Sequence, residues 1–228
     1  QLDPMQFASA SDDSTVRIWN LQQSSSVACL KTPSNACSVH YSPSRATMLA
    51  VACANHCSYV FDTRKVDQPL AVLSGANRAV SYVRFMDGNT VIGASTDNAI
   101  RSWDISSATN SPTPLQTTQP FQEEYTGHVN ERNFVGLSVH SDGYIATGSE
   151  DNKVYCYYKA FPFALTTHSP VCGKVSTNDP AATTKNANNP RTFISSVCWA
   201  RHSKHLLVGN SEGVLQVLQL KEFSNGRN

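Results

Sequence analysis

Few residues in this chain have the chemistry to act. His128, Ser149 and Asp151 supply the three side-chain types of a nucleophilic relay, in which an imidazole takes a hydroxyl proton and a carboxylate orients the ring. No nucleophile turn and no oxyanion site accompany them. Cys53 and Cys57, with His56 between, offer two sulfurs and a nitrogen to zinc. No C-x-x-C pair is repeated to complete a four-ligand set, and buried cysteine is commonly just a small apolar residue. Glu123-Glu124 and Glu150-Asp151 are carboxylate pairs, and a glycosidase needs two carboxylates that converge on one bond. Adjacent side chains diverge or sit on turns, so these acids read as structural or solvated. No phosphate loop or kinase signature is present. The sequence proposes no catalytic residue, no metal and no cofactor.

The elements that position these residues form a repeat. The stretch Phe7 to Asn20 reads as strand, tight turn, strand, and returns at Leu49 to Asp62, Val91 to Asp104, Ile145 to Tyr158 and Leu206 to Gln219. Each copy ends on an aromatic or apolar residue: Trp19, Phe61, Trp103, Tyr157 and Leu218. The spacings are 42, 42, 54 and 61. Six residues earlier stand Asp13, Asn55, Asp97, Asp151 and Glu212, and eight earlier Ser11, Cys53, Ser95, Ser149 and Asn210. A period near 42 with a Trp-Asp end belongs to WD-repeat propeller blades, each a four-stranded antiparallel sheet. The turn before the aromatic strand needs a residue that tolerates the left-handed region and bonds its own backbone, hence Asp or Asn. The His of Gly127-His128 is expected to bond Asp151 and Ser149 or Thr147, satisfying buried groups. At Gly75-Ala76 that His is lost.

Composition agrees with a globular chain. Of 228 residues, 40% are hydrophobic and 15% charged, with a formal net charge of +1. Lys and Arg are scattered, so no basic stripe points to nucleic acid. The longest apolar run, Met48 to Ala54, is too short to span a bilayer, and no stretch reads as a signal peptide. Seven cysteines without a disulfide framework suit a reducing compartment, cytosol or nucleus. The sequence predicts an all-β, WD-repeat β-propeller, here an arc of four to five blades over 1–223. Polar insertions at 106–119 and 166–190 lie outside the blades, and 224–228 form a tail. The first copy lacks its inner strand and the last is short of an outer one. The chain opens mid-blade and without an initiator Met, and is expected to be part of a longer protein.

Several phrases go beyond a generic WD repeat: Ala79 to Phe85, Ser95 to Asn98, Asn133 to Val139, Asp142 to Glu150, Tyr158 to Pro162 and Phe193 to Trp199. Together they resemble the C-terminal propeller of the plant photomorphogenesis repressors. That family comprises a RING-type ubiquitin ligase and its SPA (suppressor of phytochrome A) partners. The Asp142–Glu150 and Lys159–Pro162 phrases are more similar to the SPA type. The resemblance implies a seven-bladed propeller that binds Val-Pro peptides of transcription factors and photoreceptors. It also implies a nuclear ubiquitin ligase complex that represses light signalling. The matching peptide-binding positions are Cys37, His56, Arg78, Glu131 and Phe134, with Arg78 standing where the family has Lys, a change of hydrogen-bond geometry. A Tyr and a Trp of that site fall upstream of Gln1. The box Phe61-Asp62-Thr63-Arg64 resembles the motif by which WD-repeat receptors dock on the adaptor of cullin ligases; otherwise Arg64 pairs with a carboxylate on the blade rim. No membrane or nucleic-acid partner is implied. The alternatives are a generic WD scaffold in an unrelated complex, or the RING ligase itself rather than its SPA partner.

Overall fold

The structure is a computed structural model that describes residues 3–110, 117–170 and 192–221. Its strands, in chain order, are β1 (Gln6–Ala10), β2 (Thr15–Asn20), β3 (Ala28–Lys31), β4 (Ala36–Tyr41), β5 (Met48–Cys53), β6 (Ser58–Asp62), β7 (Ala71–Leu73), β8 (Val80–Phe85), β9 (Thr90–Ser95) and β10 (Ala99–Asp104). After the short helix α1 (Ser106–Asn110) come β11 (Thr117–Gln119), β12 (Glu123–Thr126), β13 (Leu137–Val139), β14 (Tyr144–Thr147), β15 (Val154–Tyr158), β16 (Phe161–His168), β17 (Ile194–Trp199), β18 (His205–Asn210) and β19 (Leu215–Gln219). They form five sheets: β1-β2-β3, β4-β5-β6-β7 with β11 added, β8-β9-β10-β12, β13-β14-β15-β16 and β17-β18-β19. These are the expected blades in the expected register. Among the described residues the first lacks an inner strand and the last an outer one.

Successive blades with inner strands pack through them, β4 against β8, β8 against β13 and β13 against β17, and β1 of the first blade packs against β4. The result is an arc whose core lies in layers between blades. A strand inside the arc buries both faces, so β5 is apolar throughout, and its period-2 alternation splits it between two layers. Met48, Ala50 and Ala52 pack toward Trp103 and Phe85 of the third blade. Leu49, Val51 and Cys53 pack toward Val16 and Ile18 of the first.

Phe61, Trp103 and Tyr157 are buried as expected, at 2%, 1% and 0% exposure, but Trp19 is only half-buried. The aromatic strand faces the preceding blade, and the described residues include none before the first. The interior polar bonds follow the same logic. Trp103 Nε1 donates to the Ser74 carbonyl at 2.9 Å, and the Tyr157 hydroxyl to the Thr126 carbonyl at 3.1 Å. Each acceptor is the residue just before the Gly of Gly75-Ala76 or Gly127-His128, at the end of the preceding blade.

The insertions correct one expectation. The described parts of the first, 106–110 and 117–119, do not lie outside the blades. Ala108 is buried in the layer between the second and third blades, and β11 adds to β7 in parallel register, Thr117 opposite Ala71. The three-residue β7 leaves a row of backbone groups unpaired, and β11 satisfies it. Thr166 to His168 likewise belong to β16. The rest of the second insertion from 171 on, and the tail 224–228, lie outside the described residues.

Candidate protein-interaction face

In each of the four blades that have an inner strand, the turn between the second and third strands shares one end of the sheet with the loop leading into it. Backbone bonds stitch the two: Ala54 N–H to Asn35 O at 3.0 Å, Thr96 to Ala79 at 2.9 Å, Glu150 to Val129 at 2.8 Å and Ser211 to Phe193 at 2.9 Å. The turns hold one residue each in the left-handed region, in register: Ser14 (φ 62°), His56 (69°), Asn98 (67°), Asn152 (59°) and Gly213 (84°). Each follows the Asp, Asn or Glu column directly. Only Gly adopts that conformation without strain, so the other four carry a small cost. Gly148 answers a different need: a Cβ there would lie 2.1 Å from the Val135 carbonyl and 2.5 Å from that of Ile194, so only Gly lets the fourth and fifth blades approach.

All five peptide-site candidates stand on this rim. Cys37 is the extra residue of a β-bulge at the start of β4, repeated in register at Ser81 and Ser195; such a bulge re-aims the strand. Its thiol is pushed up by burial and by the charge of Asp12. His56 is exposed on its turn, and Arg78 is exposed on the loop before β8. Glu131 accepts a bond from Asn98 Nδ2 at 3.4 Å, across to the preceding blade. Phe134, on the same loop, is 52% exposed and meets the edge of Tyr82 at 5.8 Å between centroids. Glu131 and Phe134 are therefore brought together on one loop, with Cys37, His56 and Arg78 on neighbouring parts of the rim.

What holds that loop is Glu150. One of its carboxylate oxygens accepts the backbone N–H groups of Glu131, Arg132 and Asn133 at 3.0, 2.7 and 2.8 Å. Burial opposes its ionisation, but the three amides outweigh burial and hold its pKa below the usual range. The sequence shows Glu150 as a carboxylate beside Asp151 but not what it holds. Tyr82 was visible only as one residue of the Ala79–Phe85 phrase.

The structural network differs from expectation. His128 does not bond Asp151. Its Nδ1 lies 3.0 Å from the Tyr157 hydroxyl, which donates its own proton to Thr126 O and therefore accepts from His128. Burial lowers the His128 pKa to about 4 even against the fields of Asp151 and Asp97. Ser149 does stay nearby, accepting the Val129 N–H at 2.9 Å. Asp151 instead takes the Tyr155 hydroxyl at 2.9 Å and Lys153 at 3.3 Å. Burial raises its pKa, but Ser149, Tyr155 and Lys153 together lower it further. The cause is a register the sequence reading overlooked: four residues after the turn acid stands a side chain that reaches back to it. Asn55 Nδ2 bonds the Tyr59 hydroxyl at 2.8 Å, and Asp97 bonds Arg101 at 2.8 Å. In the third blade, where His is lost at Ala76, Arg101 is 3% exposed and also pairs with Glu124 at 2.6 Å.

At the other end of the second blade, Arg64 binds Asp62 through Nε at 2.9 Å and Nη2 at 2.6 Å. Its side chain remains 73% exposed, while Phe61 is buried. Cys53 is buried in β5 and its thiol is pushed up to about 12 by burial, so it is held protonated in the core.

Comparison with known proteins agrees with this geometry. The WD domain, G-beta repeat family matches residues 2–20 and 119–157. Protein SPA1-RELATED 4 of Arabidopsis thaliana is 40% identical over 96% of this chain, which covers 26% of that protein. Protein SUPPRESSOR OF PHYA-105 1 of the same plant is 39% identical over 96% of the chain and 20% of its own length. The E3 ubiquitin-protein ligase COP1 of Arabidopsis thaliana is 38% identical over 96% of the chain and 30% of its own length. The chain thus spans about a quarter of the length of these relatives. It is built of WD40 repeats and is similar, across nearly all of its residues, to the WD-repeat regions of the SPA-type proteins and COP1.

Proposed function

We propose that this chain is a non-catalytic protein-interaction module of a nuclear ubiquitin ligase complex that represses light signalling. Its rim receives Val-Pro segments of transcription factors and photoreceptors. The observation that carries the reading is Phe134: a large apolar side chain left 52% exposed on a loop that Glu150 pins, beside Tyr82. A rigid exposed aromatic over a second ring is an anchor for an apolar residue. Glu131 and Arg78 bring charges of opposite sign to the same rim, and Cys37 and His56 extend it. Similarity to a protein named as a ubiquitin ligase supports the context. The Phe61-Asp62-Arg64 box is the docking point for a cullin-ligase adaptor in this reading, with Arg64 exposed and Asp62 orienting it.

The test is a titration of the chain with a Val-Pro peptide and an Ala-Ala control. Phe134→Ala should weaken Val-Pro binding by about 1–3 kcal/mol, as for an interface anchor, and leave the melting temperature nearly unchanged. Equal affinity for both peptides in the wild-type chain would instead leave a generic WD scaffold.

A further inference from the structure

The third blade holds two arginines in opposite circumstances. Arg101 is compensated by Asp97 and Glu124. Arg84 is packed among the inner strands with no carboxylate bonded to it among the described residues. Its Nη1 makes both of its hydrogen bonds, to Ser38 Oγ on β4 at 3.3 Å and to the Val83 carbonyl at 2.8 Å. The guanidinium lies over the Tyr82 ring at 5.7 Å. Burial lowers its pKa, and the acidic groups nearest to it are only the Tyr82 phenol and the Cys198 thiol of β17, two blades on. His40 of β4, whose pKa falls to about 4 through burial and then through Arg84 itself, supplies no counter-charge.

The register makes Arg84 stand out further. His40, Arg84 and Ser138 occupy one column of the inner strands. His40 Nδ1 accepts the Phe85 N–H at 3.1 Å, and Ser138 Oγ accepts the Trp199 N–H at 2.9 Å, each tying its blade to the next. Arginine has no acceptor, so the third blade gives up this tie. A charge taken from water without a counter-ion is costly. Here the cost comes with two nitrogens, Nε and Nη2, that make no bond within the described residues. They sit two residues along β8 from Tyr82, on the same face of the strand, and a guanidinium presents them in the geometry that fits a carboxylate.

We infer that Arg84 is an anion-binding residue that takes the carboxylate of an acidic peptide side chain on the inner surface of the arc, close to the apolar residue held by Phe134 and Tyr82. The peptide as ligand rests on the function proposed above; the anion site itself does not.

The full chain is titrated by fluorescence anisotropy with a Val-Pro peptide carrying a flanking Glu and with its Gln counterpart. Wild type should prefer Glu by about tenfold or more, the scale of a hydrogen bond to a charged group. Arg84→Gln should bind both peptides alike, at the weaker level. Phe134→Ala should weaken both and keep their ratio. A Glu preference that survives in Arg84→Gln overturns the site. If neither peptide binds wild type, melting temperatures in sodium acetate and sodium chloride at equal ionic strength decide. A rise in acetate for wild type but not for Arg84→Gln keeps the anion site and removes the peptide reading; equal behaviour of the two proteins overturns the anion site. Arg84→Met replaces Arg84→Gln in both assays should the latter fail to fold.

Discussion

Trp19 and Trp103 stand at the same place in two copies of one phrase, yet Trp103 is 1% exposed and Trp19 is half-buried. Trp103 sends its N–H to Ser74 of the preceding blade. Trp19, with no preceding blade among the described residues, turns its N–H to Ser9 of its own strand pair and stacks on Phe7, itself 44% exposed. The far end of the arc repeats the contrast on the opposite face. Leu215 and Val217 are 70% and 66% exposed, whereas the matching Val154 and Cys156 of the fourth blade are 3% and 5%. A blade is half of two interfaces. The column fixes the residue type, and the neighbour supplies its burial.

The comparison can be broken most directly at those two tryptophans. Trp103→Ala should cost about 3–5 kcal/mol in urea unfolding, the range for a buried aromatic, and Trp19→Ala less than half of that. Equal losses would mean that the face of Trp19 is covered in solution. Next in size is the column four residues after the turn. Arg101→Ala strands the buried Asp97 and should cost about 3 kcal/mol, while Arg17→Ala, exposed in the first blade, should cost less than about 0.5 kcal/mol.

The third contrast is in pH. His128 of the fourth blade has a folded pKa of about 4 against an ordinary 6.5. The unfolded chain therefore binds the extra proton first, so stability falls as pH drops from 6.5 toward 4 and levels off below. The loss is roughly 3 kcal/mol. His128→Gln should make that limb of a stability–pH curve shallower, leaving the share of His40, whose folded pKa is also about 4; an unchanged curve would mean that the His128 ring is not sealed from water. The smallest effect concerns Glu150. Its folded pKa is lowered, so its contribution is full above the ordinary carboxylate pKa and is lost as pH falls through the folded value. Glu150→Gln should cost about 1 kcal/mol at neutral pH and open the loop 131–134 to protease before the rest of the fold. Cleavage at the wild-type rate would show that the loop is held by other contacts.

Much of the fold was legible because a repeat reports its own register. The aligned Asp, Asn and aromatic columns located strands β1, β2, β5, β6, β9, β10, β14, β15, β18 and β19 without any knowledge of contacts. The insertion 106–119 was misjudged at its described ends, 106–110 and 117–119, because its polarity says nothing about a backbone edge waiting at β7. The site was half legible. Phe134 and Glu131 were named as positions implied by the family resemblance, but Tyr82 beside Phe134 is one more aromatic on an alternating strand. Glu150 looked like half of a carboxylate pair until its three amide donors were seen. The His128–Asp151 bond failed for a related reason: Tyr157 and Tyr155 each carry a hydroxyl at the right distance, and residue type alone does not rank the competing partners.

By itself the sequence determined the blade and its period, because these rest on local rules: alternation along a strand, a turn acid or amide and a large apolar residue at fixed offsets. It put the left-handed conformation on that acid or amide, whereas the chain adopts it one residue later. Only the tertiary structure decided which copies of a column are buried, which of two arginines is given carboxylates and which oxygen each hydroxyl and imidazole bonds. Those outcomes depend on groups from different blades meeting at distances of a few ångströms, and no spacing along one chain encodes such a meeting.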